Sequence, residues 1–281
     1  MPLYLDNSFP IIYADDTTLC FRNSSLDAVI RSCSEELEKL LNWCTANKLT
    51  INLEKTCFMV ISNRQVPNLS QALKVQSTHL KNVESHKFLG VTIDNQLKFS
   101  SHISEIASKI SKSIGVMFKL SEFLPCESLL NIYYALVHSY LMYCNAIWGG
   151  TYISHLQPLI ILQKKCIRIV FKRNYTAHTL PLFFSGKVLQ IKHIHDYSLL
   201  TFFYKNFDLF LGNLPSHTHE TRNSSYFVPT FQRLNICQRS IYFSAINLWN
   251  QLPLNLKTID SYECFKKRLK IHILQSYVNN D

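Results

Sequence analysis

The sequence predicts an α+β protein in which a small strand-rich start gives way to a long helical remainder. Three observations carry this. Apolar, β-branched and aromatic residues flank Tyr13-Ala14-Asp15-Asp16 on both sides, the pattern of a β-hairpin with an acidic tip. From Leu26 to Cys44 the apolar residues recur at helical spacing, and Thr56 to Ser62 then read as a buried strand. Beyond residue 100, helical periodicity dominates.

The elements follow in order. Ile11-Ile12 and Thr17 to Phe21 are the two hairpin strands. Ser24 with Asp27 is expected to cap a helix running to about Ala46, with Leu26, Val29, Ile30, Cys33, Leu37, Leu40, Leu41 and Cys44 on its apolar face. After the strand over 56–62, residues 63–85 are polar and irregular, with Pro67, and read as a surface connection. Phe88 to Ile93 is a short strand ending at Asp94-Asn95. Ile103, Ile106, Ile110, Ile114 and Met117 mark the next helix, with Lys109 and Lys112 off its apolar face.

From Ser128 to Gln163 there is no Asp, Glu, Lys or Arg. The stretch is long enough to span a bilayer, but Asn131, His138, Asn145 and Gln157 interrupt it and Gly149-Gly150 and Pro158 break it. A buried helix is expected instead, with Leu129, Ile132, Leu136, Tyr140, Tyr143 and Ile147 on one face. Around 158–173 a helix divides cleanly: Leu159, Leu162, Cys166, Ile169 and Val170 on one side, Lys164, Lys165, Arg168 and Lys172 on another. That basic face suits phosphate contact or is simply solvated. Residues 174–230 give no clear pattern. A basic helix with Lys266, Lys267, Arg268 and Lys270 starts near Asp260, where Glu263 is a capping partner.

The bulk properties of the 281 residues are those of a globular chain, 47% hydrophobic and 17% charged, which excludes a disordered one. The net charge of +10 is uneven: residues 1–60 sum to −3 and residues 61–281 to +13. An acidic corner and a basic body suit a polyanionic ligand steered toward bound metal, or an acidic protein partner. Nine cysteines without Cys-x-x-Cys spacing argue against a disulfide framework and a zinc site, and for a reducing compartment. Residues 1–20 have no basic stretch of the signal-peptide kind. His193-x-His195 and His217-x-His219 form no recognisable ligand set.

Two adjacent carboxylates repel unless a cation neutralises them, and hard oxygen ligands of this kind suit Mg²⁺. Tyr-Ala-Asp-Asp between apolar strands resembles the signature hairpin of reverse transcriptases, of the non-LTR retrotransposon (LINE, jockey-like) type. Trp43, Asn47-Lys48-Leu49, Asn52-Leu53-Glu54-Lys55-Thr56 and Lys87-Phe88-Leu89-Gly90-Val91 with Asp94 follow in that family's order. The likeness continues weakly through Ile167-Arg168-Ile169 and Leu248-Trp249-Asn250-Gln251-Leu252-Pro253.

The resemblance implies a C-terminal portion of such an enzyme: a partial palm over 1–100, a thumb-like helical region over 101–157 and a basic helical extension over 158–281. It implies RNA-directed DNA synthesis with Mg²⁺, an RNA template and a DNA primer. Asp15 and Asp16 would be the metal ligands, and Tyr13 would lie beneath the primer end. Lys55 would protonate or stabilise the leaving pyrophosphate, or is a surface lysine at a strand start. Phe88-Leu89-Gly90 would grip the primer, and Lys164, Lys165, Arg168 and Lys172 would meet nucleic acid. The family's other essential aspartate and its fingers lie upstream of the hairpin, where these residues offer only Asp6 across Pro10. The chain alone is therefore expected to be inactive. A non-catalytic remnant that binds nucleic acid or protein, for example the full-length element proteins, is the alternative; no membrane is expected.

Overall fold

The computed structural model describes residues 5–62, 66, 69, 72–75, 77–211, 227 and 232–277. It divides into two units, Met1–Leu97 and Lys98–Asp281. The first mixes strands with one long helix, and the second is helical among the described residues, so the class is α+β.

In the first unit, β1 (Phe9–Tyr13) pairs antiparallel with β2 (Asp16–Cys20), with Tyr13 opposite Asp16 and Phe9 opposite Cys20. Helix α1 (Leu26–Ala46) ends where its periodicity predicts, but the expected Ser24–Asp27 capping box does not form. Ser25 is the N-cap and its side chain makes no capping bond; the Asn23 Oδ1 accepts the Ser25 N–H at 3.1 Å instead, one step outside the helix. The helix stops in a Schellman motif. The Leu49 N–H donates to the Cys44 carbonyl at 2.8 Å and the Lys48 N–H to that of Thr45 at 3.1 Å, with Lys48 at φ 56°. Asn47 adds a side-chain bond to the Trp43 carbonyl at 2.8 Å.

The strand expected over 56–62 shrinks to β3 (Cys57–Phe58), which pairs in parallel with β6 (Lys81–Asn82). The stretch read as a surface connection carries much of this unit's core. Leu73 and Val75, at and in β4 (Lys74–Val75), and Leu80, just past β5 (Thr78–His79), are buried. They pack against Ile30, Cys33, Leu37 and Leu41 of α1 and against Leu53 and Phe58. Sparse, well-spaced apolar residues escape a periodicity search when their strands are only two residues long. Pro67 lies outside the described residues. The single strand expected at 88–93 is a hairpin of β7 (Ser85–Phe88) and β8 (Val91–Asp94), turning through Leu89-Gly90.

In the second unit, α2 (Ser100–Leu120) buries Ile103, Ile106, Ile110 and Met117, as its spacing predicts, and Pro125 precedes α3 (Cys126–Tyr133). The uncharged stretch is one interrupted helix: α3, a π-helical turn over Tyr134–His138, α4 (Ser139–Met142), a break at Tyr143-Cys144, and α5 (Asn145–Trp148). Its buried stripe is Leu129, Tyr133, Val137, Leu141, Asn145 and Trp148. Of the expected face, Leu129 is buried and Ile132 half-buried as read, while Leu136, Tyr140, Tyr143 and Ile147 are exposed. A strict four-residue step is too long for 3.6 residues per turn, and the wider π turn keeps that stripe facing inward. No helix among the described residues is long and apolar enough to cross a membrane.

Helix α6 (Ile153–Val170) runs through Pro158 and packs along α2. The segment that the sequence left unread holds α7 (Leu180–Ser185), α8 (Ile191–Lys205) and α9 (Phe207–Leu211). After α10 (Asn235–Gln238) come α11 (Ile241–Gln251), α12 (Leu254–Lys257) and α13 (Tyr262–Gln275). The N-cap of α13 is Ser261, without a side-chain bond, and Glu263 pairs with Lys266 at 3.2 Å rather than capping. Phe203 and Trp249, with ring centroids 5.0 Å apart, anchor an aromatic core that includes Phe207, Phe210, Tyr204 and Phe265.

Candidate metal and nucleic-acid site

The β1–β2 register decides how the acidic pair is presented. Tyr13 and Asp16 close the ladder, so the two turn residues are Ala14 and Asp15, and Asp16 already belongs to β2. Ala14, not an aspartate, takes the positive φ of 53°. With Asp15 at negative φ, this is the sign pattern of a type II′ turn, whose first position favours glycine. Asp15, Asp16 and Tyr13 are all exposed at the tip, and so are Phe9 and Ile12 beside them.

Could these residues hold a divalent ion? They supply two hard carboxylates, but among the described residues no group of three His, Cys, Asp or Glu side chains comes together to hold a metal. Asp6 is engaged elsewhere: its Oδ2 pairs with Lys39 Nζ at 2.8 Å on α1. Two carboxylates alone do not complete a metal site, so the described residues of this unit fit such an ion only in part.

Lys55 is exposed, and its backbone is held in place. The Asn52 Oδ1 accepts the Lys55 N–H at 3.2 Å, while the Asn52 carbonyl accepts the Thr56 N–H at 3.1 Å and the Thr56 hydroxyl at 2.8 Å. Asn52 thus builds the turn that leads into β3, a role that sequence reading missed; an Asn three residues before a Lys-Thr pair is its signal. At Phe88-Leu89-Gly90, Phe88 pairs with Val91, and Leu89 and Gly90 turn the chain at φ 45° and 83°. Both central residues at positive φ match a type I′ hairpin, so the glycine serves the turn itself.

In the second unit, the four basic residues are not equivalent. Lys165 and Lys172 are exposed and Lys164 is half-buried. Arg168 turns back, its Nε donating to the Ala177 carbonyl at 2.9 Å. Lys172 lies beyond the end of α6 at φ 50°, in a second Schellman motif in which the Arg173 N–H donates to the Arg168 carbonyl at 2.8 Å. His193 and His195 have structural partners, Nδ1 of His193 lying 2.8 Å from the Tyr277 hydroxyl and Nδ1 of His195 3.0 Å from the Asn145 carbonyl. Burial lowers the pKa of both rings. His217 and His219 lie outside the described residues. All nine cysteines are free thiols, and burial lifts that of Cys33, beside Glu36, to about 11.

Comparison with known proteins follows the same lines. Residues 3–93 match the family described as reverse transcriptase (RNA-dependent DNA polymerase). Over 165 residues the chain is 30% identical to the RNA-directed DNA polymerase from mobile element jockey of Drosophila melanogaster, covering 56% of this chain and 17% of that protein. It is 24% identical over 178 residues to the probable RNA-directed DNA polymerase from transposon X-element of the same species, covering 59% of this chain and 19% of that protein. The matched stretch thus spans less than a fifth of either relative's length. No solved structure matches. Residues 3–93 carry reverse-transcriptase sequence. Over the matched stretch the chain is similar to jockey-like RNA-directed DNA polymerases.

Proposed function

We propose that this chain is part of an RNA-directed DNA polymerase of a non-LTR retrotransposon, with the β1–β2 hairpin as the metal-carrying half of its catalytic centre. One observation carries the reading: an acidic pair at a hairpin tip, inside the segment that matches the reverse transcriptase family. In this reading Asp15 and Asp16 bind Mg²⁺, which neutralises developing charge on the transferring phosphate. Tyr13 lines the floor beneath the DNA primer. Lys55, exposed on a backbone fixed by Asn52, faces the leaving pyrophosphate. The β7–β8 turn at Leu89-Gly90 supports the primer.

As these 281 residues alone, the chain does not polymerise, because no third carboxylate joins the pair among the described residues. Primer extension on an RNA template with Mg²⁺ tests this: no product is expected, and extension abolished by Asp15→Ala would refute it. A second reading, binding of nucleic acid without catalysis, is favoured by the +13 net charge of residues 61–281 and by the exposed Lys165 and Lys172. It requires an affinity that falls steeply with salt.

A further inference from the structure

Three departures from ordinary helix chemistry meet in the second unit. The first is the π-helical turn Tyr134–His138, a form that costs helix regularity and recurs at functional sites. It carries both Tyr134 and His138, whose rings meet edge to face at 5.0 Å. The second is Lys187, which closes α7 in a Schellman motif at φ 51°, where glycine is the favoured residue. Its carbonyl accepts the Tyr134 hydroxyl at 3.3 Å, so this strained lysine is tied to the π turn. The third is Lys270 of α13, half-buried, with its Nζ 5.7 Å from the centre of the Tyr134 ring.

We propose that Lys187, Lys270 and His138, gathered around Tyr134, form a binding site for a phosphoryl group. Among the described residues no carboxylate acts on Lys270 or His138. Burial, and then Lys187, lower the pKa of Lys270, the opposite of what a neighbouring carboxylate does. Burial, and then Lys270, push His138 down to about 4. Nδ1 of His138 is buried with no hydrogen-bond partner among the described residues, an orphaned group of the kind that a bound ligand satisfies. A half-buried cation beside a second cation is costly by itself, and an oxyanion between them reverses the sign of that interaction.

The chemistry of the donors narrows the ligand. Two ammonium groups act as compact point charges with several rotatable donors each, which suits a tetrahedral phosphoryl group approached from two sides. A planar carboxylate is better matched by an arginine fork, and the cluster contains none. The site lies wholly in the second unit and uses neither Asp15 nor Asp16. Its failure would leave the catalytic reading untouched, and the reverse also holds. Free phosphate and the phosphodiester of a polynucleotide share this chemistry.

The full chain should be compared with Lys187→Gly and Lys270→Met. Glycine fits the left-handed position, so Lys187→Gly removes the charge without disturbing the α7 end. Inorganic phosphate at fixed ionic strength should raise the thermal midpoint of the parent chain, and each variant should bind it about tenfold more weakly. Lys270→Arg, which keeps the charge, should retain most of the response. Binding of a single-stranded oligonucleotide across a salt series then separates the two sources. A salt slope reduced by about one per lysine assigns the site to a polynucleotide, and an unchanged slope beside a lost phosphate response assigns it to a free phosphate. No phosphate response in the parent chain, or one that survives in Lys187→Gly, would overturn the proposal.

Discussion

Ala14 sits at φ 53° in the two-residue turn of the β1–β2 hairpin, next to the residue on which the proposed chemistry depends. An alanine there is strained where glycine is not, and strain of this kind concentrates at functional turns. Ala14→Gly should therefore stabilise the first unit by roughly 0.5–1 kcal/mol in urea unfolding; a loss of stability would show that the turn is not strained. Two other residues set a pH balance. Burial raises the Asp196 carboxyl to about 6, so its contribution to stability is full below about 3.8 and is lost as pH rises through 6. His138, at about 4, works in reverse: its contribution is full above 6.5 and is lost as pH falls through 4. Each is worth about 3 kcal/mol, and the two slopes oppose one another between pH 4 and 6. Asp196→Asn should raise stability at pH 7 by about 1–3 kcal/mol and leave a chain that weakens on acidification more than the parent does. Urea midpoints at pH 4.5 and 7 read both effects, and a parallel shift at the two values would contradict them.

Among the elements, the residues that carried the family resemblance divide by task. Asn47-Lys48-Leu49 is a helix stop, and Asn52 builds the turn before β3. Trp249 fills the aromatic core, and Asn250 clamps the backbone of Phe227, its Oδ1 accepting from that N–H at 3.0 Å and its Nδ2 donating to that carbonyl at 2.6 Å. The Asp15-Asp16 tip, by contrast, presents exposed carboxylates with no evident folding role. Helices α1 and α2 were legible because long amphipathic periods survive any tertiary context. The core strands between 72 and 82 were not, since two-residue strands carry no period. The inward face of the uncharged helix was misread because the π turn shifts its phase. Gln163 escaped notice as one polar residue in an apolar stripe, yet it joins three elements. Its Nε2 donates to the Tyr133 hydroxyl and to the Leu189 carbonyl, both at 2.9 Å, and its Oε1 accepts the Ile191 N–H at 3.0 Å. Gln163→Leu strands all three partners in a buried site and should cost about 3 kcal/mol or more in thermal or urea unfolding. A cost below about 1 kcal/mol would mean that water replaces the amide.

At the scale of the whole molecule, an acidic first segment and a basic remainder are the charge arrangement that the proposed function requires, since a basic surface attracts a polyanion and an acidic one a cation. The division into two units separates these properties, with the acidic hairpin in Met1–Leu97 and the basic helices α6 and α13 in Lys98–Asp281. Everything functional in the first unit rests on whether the hairpin tip binds a divalent cation. A Mn²⁺ titration of the full chain followed by NMR tests this most directly. Signals from Ala14, Asp15 and Asp16 should broaden first, at concentrations befitting a half-built site, and Asp15→Asn should remove that priority. Broadening spread evenly over the acidic surface, and unchanged by Asp15→Asn, would contradict a metal-binding role for the hairpin.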